Sequence, residues 1–214
     1  MHTAYQRRSR SPGLSWWTHL YIVAAALWLP VALAQPAGRE LLNSERIEAA
    51  FGSYGIEVLE QNALVRVSNL YSGAGEDKTC RTFAVVQYLP QIDPAVSAEH
   101  AEIVAGGSIG AVFAAHHWEV RKTHLSYSEM HATPRLASLM RIAELKTLAM
   151  DIYALDVAKG RQIVEYATLV EIHHPDYLTR EDLPAIYGPA YEAPRSARSV
   201  AAFMAAQAAA EREP

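Results

Sequence analysis

Glu171, His173, His174 and Asp176 place four groups able to exchange a proton or ligate a metal within six residues. On an extended strand Glu171 and His173 project from the same face, two residues apart. A carboxylate beside an imidazole polarises a water or holds a divalent cation, and imidazole titrates near neutral pH. Two ligands from one strand fall short of the three or four that a stable zinc site needs. Further ligands would have to come from His116, His117, His124 or His131. The same stretch also has a plain structural reading. It runs into His174-Pro175-Asp176, where a strand gives way to a loop and polar residues are expected, and Asp176 reads as a cap like Asp93. His116-His117 stands at a helix-to-strand junction. Glu171, His173, His174, Asp176, His116 and His117 are therefore the candidate binding residues. The sequence assigns no catalytic residue, no metal and no cofactor.

Other signatures are missing from the sequence. It has no HExxH helix, no Cys/His pair at finger spacing and no Gly-x-Ser-x-Gly elbow. Gly106-Gly107-Ser108-Ile109-Gly110 precedes a helix whose free N–H groups would suit an anion, yet it lacks the phosphate-loop lysine. Its simpler role is to stop one helix and start the next. Cys80 is the only cysteine, so no internal disulfide forms and the core must hold the fold. Tyr54, Tyr71, Tyr127, Tyr153 and Tyr166 recur in or beside strand-like segments, as core residues or as the wall of an apolar pocket.

The elements that would position these groups follow from periodicity. Ser44 reads as the N-cap of a helix carrying Ile47, Ala50 and Phe51, ended by Gly52 or Gly55. Strand-like alternation follows from Ile56, again over Leu64–Tyr71 and again over Thr82–Leu89. Asp93-Pro94 starts a second helix, and Ser108 a third. Strand-like Trp118–Tyr127 comes next, then an extra helix from about 135 to 145. Met150–Ala158 and Ile163–Ile172 flank the turn Lys159-Gly160-Arg161-Gln162. Both are apolar on both faces, which predicts central strands covered on each side. A short helix is expected over Thr179–Tyr187. Pro189–Pro194 reads as a linker, and the alanine-rich Ser196–Glu211 as a peripheral or frayed helix with Val200, Phe203, Met204 and Gln207 near one face.

The chain also resembles itself. Ile47–Phe51 returns 62 residues later as Ile109–Phe113, and the register holds to Glu57-Val58 against Glu119-Val120. A second match runs at offset 83, with Phe83-Ala84 on Tyr166-Ala167, Asp93 on Asp176, Glu99 on Asp182 and Ile103 on Ile186. The growth in offset predicts an insertion in the second half, where the extra helix falls. A fixed-offset match is the trace of a duplicated unit. The expected fold class is α+β, with two related helix–antiparallel-strand units over 44–107 and 108–190, a linker over 35–43 and a tail over 191–214.

Ahead of them, Arg7, Arg8 and Arg10, an apolar run from Leu20 to Leu33 and Ala32-Leu33-Ala34 read as a signal peptide over 1–34. The alternative is an uncleaved anchor over Trp16–Ala34, the chain's only expected membrane contact. Either way the rest is expected to be exported, to the periplasm or the secreted space. Losing those three arginines leaves 16 basic residues against 23 acidic ones, a formal charge of −7. That argues against a nucleic-acid partner. The function expected is a non-catalytic envelope or secreted module binding a protein or a small molecule. The alternative is a hydrolase or metal-assisted enzyme built on Glu171 and His173.

Overall fold

β-branched and aromatic residues at period two become six strands, and the apolar stripes between them become helices. The computed structural model describes residues 41–191 and 197–212, so the expected signal segment and its cleavage site lie outside the described residues. The helices are α1 (Asn43–Phe51), α2 (Ser97–Val104), α3 (Ile109–Ala115), α4 (Pro134–Met140), α5 (Asp182–Tyr187) and α6 (Ala197–Glu211). The strands are β1 (Gly55–Gln61), β2 (Val65–Ser72), β3 (Thr79–Tyr88), β4 (Glu119–His131), β5 (Thr147–Lys159) and β6 (Gln162–His173). The fold is α+β, with one antiparallel sheet in the order β1-β2-β3-β6-β5-β4. Two three-stranded meanders thus meet along a single seam between β3 and β6.

Helices cover both faces. On one, α4 and α6 pack on Phe83, Val85, Met150, Ile152, Val170 and Ile172. On the other, α2 and α3 pack on Val86, Tyr153, Leu155 and Leu169, while Ile47 of α1 packs on Leu70 and Ala84. β5 and β6 lie inside the sheet and are covered on both sides, as their unbroken apolar runs require. The turn joining them places Gly160 at φ +63°, a conformation a glycine adopts without strain in a two-residue hairpin.

Several expectations need correction. Ser44 does not cap α1. The helix begins at Asn43, with Leu42 donating its N–H to Glu45 at 2.8 Å, and Asn43 turns its amide into the core. The extra helix is only Pro134–Met140, because Arg141 takes a left-handed conformation (φ +58°) and closes it. It fills the β4–β5 connection, whose counterpart in the first meander is the short turn after Gln61.

α6 inverts the reading of its faces. Its buried stripe is Ala202, Ala206, Ala209 and Ala210, small enough to bring the helix backbone close to the sheet, while Val200 and Met204 are exposed. Phe113 is fully buried, but Phe51 is only half-buried, with the Arg81 guanidinium 3.8 Å from its ring centre. The two phenylalanines therefore do not share one core role.

Candidate functional site

Polar side chains cluster on the sheet face beneath α1, α3 and α5. Alternation on β6 sends Glu171 and His173 to this face, and the ladder sets Asp151 of β5 directly opposite Glu171. Asp151 and His173 are fully buried and Glu171 is 4% exposed. The expectation of polar residues at an open strand end is therefore wrong for this pair, because α5 and the loop before it close over them.

Each of the three is held by one atom. Asp151 Oδ2 lies 2.8 Å from Nδ1 of the buried His124. Glu171 Oε1 accepts from the Tyr153 hydroxyl at 3.0 Å. Tyr177 donates to Asn43 Oδ1 at 2.7 Å, and Asn43 donates to Thr82 Oγ1 at 3.1 Å. Thr82 Oγ1 also lies 3.1 Å from His173 Nδ1, which engages that ring nitrogen.

Burial pushes the His173 pKa down to about 4; Asp151 opposes the shift, and Lys122 and His124 add to it. Burial raises Asp151 against the pull of His124, and holds the Tyr153 hydroxyl well above its ordinary value. Among the described residues, Asp151 Oδ1, Glu171 Oε2 and His173 Nε2 are buried atoms with no hydrogen-bond partner. A buried polar group left unmatched costs roughly 1–3 kcal/mol. Three of them on one face mark a place shaped for something else.

Beside them lies a cavity of about 80 Å³, roofed by Leu42–Ser44 and Ser108–Gly110 and floored by the sheet. Its floor is apolar at Leu70, Ala84, Val86 and Leu169, with Glu171, Tyr153 and Lys122 toward one end. Arg66 of β2 also lines it and is 1% exposed. Nε of Arg66 donates to Ser68 Oγ at 2.9 Å, and Nη1 donates to the carbonyls of Ile103 and Gly107 at 2.9 and 2.8 Å. Among the described residues this guanidinium has no carboxylate partner. The Gly106–Gly110 segment thus serves the site through a carbonyl that holds Arg66.

The other candidates lie elsewhere. His174 is buried, but it faces the Met140 carbonyl (3.1 Å) and accepts from the Asp176 N–H at 3.0 Å, which is a structural task. Asp176 is 80% exposed at its side chain and caps nothing as Asp93 does. His116 pairs with Glu102 at 2.9 Å near the surface, and His117 is exposed in a left-handed conformation that ends α3. Neither joins Glu171 and His173. Among the described residues no group of three His, Cys, Asp or Glu side chains has the geometry to hold a metal ion.

No protein-family model matches the chain, and no curated protein does. Among solved structures it is similar to a GntR-family transcriptional regulator from Enterococcus faecalis V583, at 9% identity and a TM-score of 0.37. That likeness covers 59% of this chain and 93% of the other. It is also similar to the C-terminal domain of Yurk from Bacillus subtilis subsp. subtilis str. 168, at 14% identity and a TM-score of 0.36, over 59% and 89% of the two chains. Likeness of this degree carries no functional argument.

Proposed function

We propose that this domain binds a small organic anion in the cavity between the sheet and the first turns of α1 and α3. One observation carries the reading: Arg66 is a fully buried guanidinium with no carboxylate partner among the described residues. Burying an uncompensated charge is costly, and carbonyls and a hydroxyl supply hydrogen bonds to it without neutralising it. A carboxylate is the planar partner that guanidinium geometry favours. Apolar floor residues with a few convergent polar groups complete the usual character of a small-molecule site.

The test compares butyrate with butylamine in a thermal-shift assay at tens of millimolar. Butyrate is expected to raise the melting temperature, the amine to leave it unchanged, and Arg66→Met to weaken butyrate at least about tenfold. Stabilisation by the amine alone would overturn the reading.

Two wider readings accompany it. The Arg-rich start and the Ala32-Leu33-Ala34 site support export of the domain, which N-terminal sequencing of the extracted protein decides. Duplication is supported by the seam: at offset 83 Val86 corresponds to Leu169, and these two residues face each other across β3 and β6, where a two-fold axis would pass. A second function, acid–base chemistry, is favoured by the His124–Asp151 pair, in which a carboxylate lies against an imidazole.

A further inference from the structure

We infer that Leu42 sets the length of the ligand: seated on Gly110, it closes the cavity roof, so the site takes a short-chain acid and turns away its longer homologues. The inference rests on the anion reading above and adds a limit on the hydrocarbon part.

The roof has two halves, Leu42–Ser44 at the start of α1 and Ser108–Gly110 at the start of α3. Leu42 joins them. A Cβ on Gly110 would lie 2.8 Å from Leu42 Cδ1 and 3.0 Å from Leu42 Cδ2, so the leucine occupies the space of a side chain at position 110. The backbone does not ask for glycine there. Gly110 does not take a positive φ, and glycine is a poor helix former. Its counterpart in α1, at offset 62, is Glu48. The close approach of Leu42 is what requires the glycine. The Leu42 N–H donates to Glu45 at 2.8 Å, which fixes the backbone from which the side chain projects. Leu42 lines the cavity yet is only half-buried, so the gap it fills leads outward. With that gap filled the cavity measures about 80 Å³, whereas an apolar cavity of roughly 150 Å³ takes one benzene. The smaller space suits a chain of a few carbons, as in butyrate, and is too small for octanoate. A site open at the roof would behave differently, with each buried methylene tightening binding roughly fourfold.

The test is calorimetry with butyrate and octanoate on the wild-type protein, Leu42→Val and Leu42→Ala, the fold of each variant being checked by circular dichroism. In the wild type octanoate is expected to bind no tighter than butyrate. Shortening Leu42 opens the roof, so the ratio of affinities should turn toward octanoate in Leu42→Val and exceed about tenfold in Leu42→Ala. A leucine that only supported the fold would weaken both acids alike and leave the ratio where it was. Tighter binding of octanoate in the wild type overturns this inference and leaves the anion reading standing. A ratio that stays at its wild-type value in both variants overturns the role of Leu42. Binding of neither acid to the wild type overturns the anion reading, and the inference with it.

Discussion

On β6, Val170 and Ile172 point toward α4 and α6, while Leu169, Glu171 and His173 point toward α1, α3 and α5. β5 divides in the same way, with Met150 and Ile152 against Asp151 and Tyr153. One face is closed by aliphatic side chains and an alanine stripe. The other is equally hidden from solvent but keeps carboxyls, imidazoles and a guanidinium. Burial alone therefore does not separate core from site in this fold. What separates them is how many buried atoms lack partners: on the α4/α6 face Arg135 and Thr168 are hydrogen-bonded and Asn69 Oδ1 is left over, against Asp151 Oδ1, Glu171 Oε2 and His173 Nε2 on the other.

The largest effect that would sharpen this contrast is on the apolar face. Phe83→Ala removes a ring that is fully buried and should cost roughly 3–5 kcal/mol in urea unfolding. A loss under about 1 kcal/mol would mean that the α4/α6 face is not the tightly packed side. The polar face should instead reveal itself through pH. His173 is neutral in the folded state, with its pKa down at about 4 against an ordinary 6.5. Between these values the unfolded chain binds more protons, so the stability that His173 contributes is complete above pH 6.5 and is lost as pH falls toward 4. From pH 7 to 4.5 the loss should be about 2 kcal/mol. Asp151 is raised and acts in the opposite sense. The quantity to read is therefore the difference between wild type and His173→Gln, and identical slopes would refute the assignment. The smallest effect is at Cys80, fully buried on the α4/α6 face, with burial pushing its thiol up. Native protein should not react with a thiol reagent over hours, whereas urea-unfolded protein should react at once. Rapid labelling of the native protein would show that this face opens.

Much of the architecture was legible in the sequence, and the site only in part. Alternation and β-branched content located β1 to β4, while apolar runs bounded by turn residues located β5 and β6. The unbroken run Met150–Ala158 also announced an internal strand. Helix ends were less legible. Arg141 stops α4 by adopting a left-handed turn that no glycine signals, and the alanine-rich composition of α6 does not by itself say which face is buried. Glu171 and His173 stood out as neighbours on one strand. Arg66 did not, since an arginine between valines on an alternating strand reads as a solvent-facing position. Only the carbonyls of Ile103 and Gly107, some forty residues away, disclose that it is enclosed. The His124–Asp151 contact was equally silent, being made across two strands with a bulge at Leu125 setting the register.

The seam between the meanders has a kinetic consequence. Within each meander the strands pair with near neighbours in sequence, but Thr82 meets His173 and Tyr88 meets Ala167 across roughly eighty to ninety residues of chain. Closing loops of that length is entropically costly and slow, so long-range pairs tend to be late events in folding. Thr82 and Ala84 lie on one side of this junction, His173 and Glu171 on the other. The floor of the cavity therefore exists in neither half alone. Ligand affinity should appear only in the last step of refolding, which makes binding a reporter of when the two halves join.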